Sequence, residues 1–173
     1  VAYLLHEELL EMGFKSLGKN VKVSDKASIY DAQQVEIGDN SRIDDFSVIS
    51  GKVKIGRNVH ITPLCLVAGG LPGLVIDDFV ALAYGVKVFT QSDDYSGKTM
   101  TNSTVPKEFK NETMLPVFIG KHSIVGAGTI ILPGVRIAEG NSIGANSLVL
   151  ESTEESTVYA GSPIKKLGAV LDN

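Results

Sequence analysis

The sequence predicts a mainly β fold: a parallel β-helix built from hexapeptide repeats, with a helical cap at its N-terminal end and one long loop protruding from its middle. Three observations predict it. An aliphatic residue returns at every sixth position through most of the chain. The composition, rich in Gly, Val and Ile with few aromatics and no Trp, favours short strands and tight turns over packed helices. The rhythm makes one long stop, at "VFTQSDDYSGKTMTNSTVPKEFKNETMLPVF" (88–118), where polar, aromatic and Pro residues replace it.

The repeat comes first, because self-similarity at a fixed period is the signature of a solenoid. From Ile37 the chain reads IGDNSR, IDDFSV, ISGKVK, IGRNVH, ITPLCL. After the short break GGLPGLV come IDDFVA and LAYGVK, and after the long break IGKHSI, VGAGTI, ILPGVR, IAEGNS and IGANSL. Each unit is aliphatic–x–x–x–small–x. A six-residue unit is too short for a strand plus a crossover helix. In an extended strand, residues two apart share a face. The fifth residue of one unit and the first of the next are therefore expected to point inward together. The intervening positions, rich in Gly, Asn and Asp, tolerate the positive φ that corners need.

A stack of coils has two open ends that must be covered. In AYLLHEELLEMGF, Leu4, Leu5, Leu9 and Met12 recur at helical spacing, and Gly13 stands where a C-terminal cap belongs. The expected division is a single domain: a helical cap over 1–20, the β-helix over 21–154 with its loop at 92–116, and a non-repeating tail over 155–173. A chain of 173 residues fits one such domain. The net charge of −4 and the lack of a basic run point away from nucleic acid and anionic membranes. No apolar run is long enough to cross a bilayer and no signal pattern opens the chain. The single Cys65 excludes an internal disulfide framework and suits a reducing compartment.

The run IGKHSIVGAGTIILPGVRIAEGNSIGANSLV, with VYAGSPIKKL after it, resembles the C-terminal coils and the AGxPxK ending of the hexapeptide-repeat acyltransferases. The opening LLHEELLEMGFKSLGKNVKVS, with SDDYSG and NSTVPKEF, is similar to a narrower group of sugar acyltransferases of bacterial polysaccharide and O-antigen loci, those acting on dTDP-4-amino-4,6-dideoxyglucose. The resemblance implies a left-handed parallel β-helix. It also implies a cytoplasmic bacterial homotrimer, acetyl-CoA as cosubstrate bound between neighbouring subunits, and a small-molecule sugar or nucleotide-sugar acceptor. Phe79 and Leu64, expected to face outward from the flat sides, are candidates for the subunit contacts.

The resemblance also locates candidate site residues. Related galactoside acetyltransferases keep a catalytic His where the loop begins; this sequence has Asp93 there, with Asp94 beside it. An isolated aspartate ionises near pH ~3.9 and is a poor base for a hydroxyl. An amine asks less, because its neutral form is already nucleophilic, so the change tilts the reading toward N-acylation of an amino sugar. Alternatively SDDYSG is a turn in which Asp93 caps backbone N–H groups. His60, in NVHITP, is the rival base; His122 occupies a turn and His6 lies on the cap. These three His do not have the spacing of a zinc site. Within the loop, Tyr95 and Phe109 are expected to stack on a base or sugar, and Thr101, Asn102 and Thr104 to bond hydroxyls. Ala127 and Ala145 match positions whose main chain meets the pantetheine arm. Lys165, with Lys166 beside it, matches the basic residue that meets CoA phosphates. A further family lysine is replaced by Glu151. O-acetylation of a glycan or galactoside hydroxyl, and a non-catalytic trimeric scaffold, are the competing readings.

Overall fold

The computed structural model describes residues 2–171, so the first residue of the expected cap and the last two of the expected tail lie outside the described residues. Its strands form three parallel sheets that wrap one hydrophobic core as the faces of a three-sided prism. The first face stacks Ser16–Leu17, Val35–Ile37, Val53–Ile55, Leu74–Ile76, Val117–Ile119 and Arg136–Ile137. The second stacks Lys22–Val23, Arg42–Ile43, His60–Ile61, Ala81–Leu82, Ile124–Val125, Ser142–Ile143 and Thr157–Ala160. The third stacks Ser28–Ile29, Val48–Ser50, Leu66–Ala68, Lys87–Phe89, Ile130–Ile131 and Leu148–Val149. The chain visits the three faces in turn, and every pairing between successive coils is parallel and in register.

The hexapeptide grammar maps onto this prism position by position. The first residue of each unit, from Ile37 to Ile143, is buried, and so is the fifth, from Ser41 to Ser147. Burying each Ile or Val side chain contributes about 1.5–3 kcal/mol. The polar fifth residues are buried because they join coils: Ser41 Oγ donates to the Gly56 carbonyl at 2.6 Å and accepts the Val59 N–H at 3.1 Å, eighteen residues ahead. Ser47, Ser123 and Thr129 repeat the arrangement. The fourth residue turns the corner. In every unit but ISGKVK it has φ between 53° and 83°, whether it is Gly, Asn, His, Leu or Phe. Phe46, Leu64 and Phe79 therefore sit on the edges of the prism, and not on the flat sides where Phe79 and Leu64 were expected.

Both ends differ in detail from the sequence reading. The helix is short, His6–Glu11, and buries Leu9, with Leu4 and Met12 partly buried against the core. Leu5 is exposed and caps the helix instead, its N–H donating to Glu8 Oε2 at 2.7 Å. Gly13 takes φ +74° as the C-terminal cap. The first coil begins at Ser16, inside the segment assigned to the cap, because Ser16–Leu17 pairs with Glu36–Ile37. At the far end Thr157–Ala160 extends the second face, and Lys165–Ala169 folds back antiparallel over it. The loop leaves the edge between the third and first faces after Lys87–Phe89. Its stem is an antiparallel pair, Gln91–Ser92 with Thr113–Met114.

Candidate active site

The loop is ordered by its own hydrogen bonds. Asp94 closes an Asx-type turn: its carboxylate accepts the Ser96 N–H at 2.9 Å, the Ser96 hydroxyl at 2.9 Å and the Thr99 hydroxyl at 3.0 Å. The Ser96 N–H, and then these hydroxyls, hold its carboxyl below the usual carboxylate range. Further on, Asn102 Oδ1 accepts the Thr104 N–H at 2.9 Å, and the Thr104 hydroxyl also donates to it. Lys110 Nζ donates to the Asn102 carbonyl at 2.9 Å and to Glu112 Oε1 at 2.6 Å. The Lys110 side chain is only 5% exposed, so this pair acts as an internal pin between the tip and the stem. Asn102 is thus engaged in shaping the loop, while Thr101, Tyr95 and Phe109 are exposed on it.

Asp93 is placed differently from Asp94. Its Oδ2 accepts the Asn102 N–H at 3.1 Å, across the neck of the loop. Its Oδ1 is buried and has no hydrogen-bond partner. A buried acceptor without a partner is unusual in a folded protein. Asp93 lines a cleft of about 430 Å³ between the loop and the third face, together with Ser92 and Tyr95; Phe89, Ile130, Leu132 and Leu148 form an apolar floor. Tyr95 is 93% exposed at its rim. A groove of similar size on the first face, lined by Pro72, Val75, Phe118 and Arg136, holds none of the expected acid–base residues.

The structure separates the other expected residues. His60 is on the second face, and its Nε2 lies 2.7 Å from Asp44 Oδ2 and 2.8 Å from Arg42 Nη2. Nε2 serves one of these at a time, donating to Asp44 or accepting from Arg42. Tyr3 donates to the other oxygen of Asp44 at 3.1 Å. His122 stacks on Phe79 at an edge, with ring centroids 5.1 Å apart and planes 1° from parallel. His6 is on the cap. Ala127 and Ala145 stand one coil apart on the edge between the second and third faces, joined by the Asn146 N–H to the Ala127 carbonyl at 2.7 Å. The coils approach so closely here that a Cβ on Gly126 would lie 2.5 Å from the Ala145 nitrogen. Lys165 is exposed on the last strand; Lys166 donates to Glu154 at 2.5 Å and is occupied. The Asp44–His60–Arg42 network and the Lys110–Glu112 pin were not found by reading the sequence.

A model of the bacterial transferase hexapeptide, six repeats, matches residues 34–69 and 116–151. The dTDP-4-amino-4,6-dideoxy-D-glucose acyltransferase of Escherichia coli is 44% identical over 170 residues, covering 96% of this chain and 88% of its own length. The chain belongs to the hexapeptide-repeat acyltransferases. Within that family it superposes on a crystal structure of a serine-to-alanine variant of AntD, an N-acyltransferase from Bacillus cereus, in complex with dTDP-4-amino-4,6-dideoxyglucose and coenzyme A. The TM-score is 0.98 at 42% identity, covering 99% of this chain and 92% of the other. AntD has also been solved with dTDP and 3-hydroxybutyryl-CoA, and as variants with one aspartate replaced. A maltose O-acetyltransferase from Clostridium difficile 630 shares the fold alone, with a TM-score of 0.61 at 22% identity over 96% of this chain and 75% of its own. The winding is accordingly that of the left-handed parallel β-helix acyltransferases. Among the described residues, no helix is long and apolar enough to cross a membrane, and no group of three or more His, Cys, Asp and Glu could hold a metal ion.

Proposed function

We propose that this hexapeptide-repeat acyltransferase transfers an acyl group, acetyl in the simplest case, from its CoA thioester to the amine of a dTDP-linked amino-deoxy sugar. The observation that carries the reading is the Asp93 carboxylate, with one oxygen fixed by the Asn102 N–H and the other buried without a partner beside an open cleft. An incoming amine supplies the missing donor. Asp93 accepts a hydrogen bond from the amine so that its lone pair faces the thioester carbonyl, and takes the amine proton as the C–N bond forms; the C–S bond then breaks and CoA leaves as the thiolate, which takes up that proton, so Asp93 serves as a positioned general base. Asp94, with its carboxylate taken up by the turn, and His60, held on the second face by Asp44 and Arg42, are poorer candidates. Tyr95 and Phe109 offer exposed rings to the base or sugar, and Thr101 its hydroxyl.

The C-terminal coils suit CoA. The edge at Gly126, Ala127, Gly128 and Ala145 carries no large side chain, which leaves room for an extended arm along it, and Lys165, exposed on the last strand, offers a cation for phosphate. The thioester, when bound, supplies the activated acyl carbonyl. We further infer a homotrimer with its sites between subunits, working in the bacterial cytoplasm in the synthesis of surface polysaccharide such as O-antigen. The similarity to the E. coli enzyme and to AntD supports the amino-sugar acceptor. The test is acyl transfer from acetyl-CoA to dTDP-4-amino-4,6-dideoxyglucose, with dTDP-glucose and free galactosides as controls. Product from the amino sugar alone is expected; product from the hydroxyl controls alone would replace this reading with O-acylation.

A further inference from the structure

The loop contains a lysine that fold stability does not explain. Lys110 keeps 5% of its side-chain surface, while every other lysine among the described residues is exposed. Taking a cation out of water is costly even when it is paired. Its partner Glu112, at 2.6 Å, keeps 15% of its own side-chain surface, so both charges give up hydration that an open loop would leave them. What such a pair can supply in return is one fixed arrangement of the chain around it.

That arrangement centres on Asn102. Its φ is 72°, in the left-handed region that Asn tolerates better than most residues. In this conformation its two main-chain groups connect to the tops of both stem strands. The stem ladder ends with Ser92 opposite Thr113. Asp93 follows Ser92 on the outgoing strand, and Glu112 precedes Thr113 on the returning one. The Asn102 N–H donates to Asp93 Oδ2 at 3.1 Å. The Asn102 carbonyl accepts Lys110 Nζ at 2.9 Å, and Lys110 carries the connection on to Glu112. The same carbonyl accepts the Val105 N–H at 3.4 Å, and Asn102 Oδ1 accepts the Thr104 N–H at 2.9 Å, which closes the turn. Asn102 thus bridges the two strand tops, with Asp93 Oδ1 left buried and unpartnered.

We propose that Asn102 is a positioning residue for the Asp93 carboxylate, and that the Lys110–Glu112 pair locks it in that task. A carboxylate free to turn about its Cβ–Cγ bond presents either oxygen to an amine. A fixed N–H on Oδ2 stops the rotation and leaves Oδ1 as the oxygen presented. Orientation settled before the substrate arrives is orientation that the reaction does not have to supply. The catalytic consequence rests on the proposed reaction; the lock itself does not. Asn102 then acts through its backbone, and not as the ligand of a sugar hydroxyl that the sequence led us to expect.

Steady-state kinetics of the whole protein with acetyl-CoA and dTDP-4-amino-4,6-dideoxyglucose test it. The variants are Asn102→Gly, Asn102→Val and the double variant Lys110→Met/Glu112→Leu, each made alone and on Asp93→Asn. Asn102→Gly keeps the left-handed turn and the N–H, so kcat should fall by no more than about three-fold. Asn102→Val resists positive φ, and the double variant removes both charges without stranding either; each should lower kcat by about 10²-fold. On Asp93→Asn none of the three should lower kcat further, because they act through the group already removed. Equal losses in Asn102→Gly and Asn102→Val, falling on KM for the acceptor, would make Asn102 a sugar ligand and overturn the proposal. Losses in kcat that multiply with Asp93→Asn would overturn it as well. Hydrogen exchange of the Asn102 amide reads the lock apart from the reaction: it should quicken about ten-fold in the double variant, and an unchanged rate overturns the lock. Full turnover in Asp93→Asn would remove the proposed role of Asp93, and with it the positioning role of Asn102, while quickened exchange would leave the lock standing as a device of the loop.

Discussion

Asp93 and Asp94 are adjacent, chemically identical and given opposite tasks by their neighbours. Asp94 has three donors within 3.0 Å, and Asp93 keeps one oxygen free. Asp93→Asn preserves size and removes the proton acceptor, so turnover should fall by about 10²–10⁴-fold, the usual range for a lost acid–base group, with acetyl-CoA binding unchanged. Asp94→Asn should act on the loop instead, raising KM for the acceptor more than it lowers kcat; steady-state kinetics of both variants with the amino sugar decide this. Asp44 makes a separate point about stability. Burial pushes its carboxyl up, but the hydrogen bonds from His60 and Tyr3 and the Arg42 charge outweigh burial and hold it below the usual range. A depressed folded-state value means that the ionised form is favoured by folding. Its contribution is therefore present above the unfolded value, near pH ~3.9, and is lost as pH falls through the lower folded value. Melting temperatures between pH 6 and 3 should show this loss in the parent and a shallower acid slope in Asp44→Asn.

At the scale of elements, the loop and the coils are held by different means. The coils are tied by buried hydroxyls. Ser47 Oγ donates to the Thr62 carbonyl at 2.9 Å and accepts the Cys65 N–H at 3.3 Å. Ser47→Ala leaves both groups buried and less well paired, at a cost of about 1–3 kcal/mol, measurable as a lower urea midpoint. The loop has no hydrophobic core of its own and depends on the Lys110–Glu112 pin and the carbonyl of Asn102. Lys110→Met strands Glu112 and releases the tip, and with it the Asn102 N–H that fixes Asp93. The expected outcome is a raised KM for the acceptor and a lowered kcat, with CoA affinity at the parent level, because the C-terminal coils are untouched.

For the whole molecule, the edges of the prism carry the unexplained apolar surface. Phe46 and Leu64 are each 58% exposed, and Phe79 is 47% exposed, all at left-handed turn positions that bulky residues adopt at a conformational cost. A cost accepted at exposed aromatic and aliphatic residues is explained if a second copy covers them, which supports the homotrimer. Sedimentation at micromolar concentration should give a trimer, and Phe79→Asp with Leu64→Asp should shift it toward monomer and abolish turnover together. A stable, fully active monomer would remove the intersubunit site.

The sequence by itself determined the coil. Its sixfold period places Ile37, Ile43 and their successors, and Ser41, Ser47 and theirs, inside without exception, because a two-residue alternation on short strands leaves no other arrangement. It also marked the loop, by the loss of that period, and the glycine cap at Gly13. What only the tertiary structure decided is which of two adjacent carboxylates is free, that Phe79 and Leu64 turn corners, and that Asn102 and Lys110 shape the loop. Those outcomes depend on contacts across the loop and between coils. In the loop no repeat constrains the backbone, so the direction of each side chain follows from partners many residues away, such as the Asn102 N–H that holds Asp93.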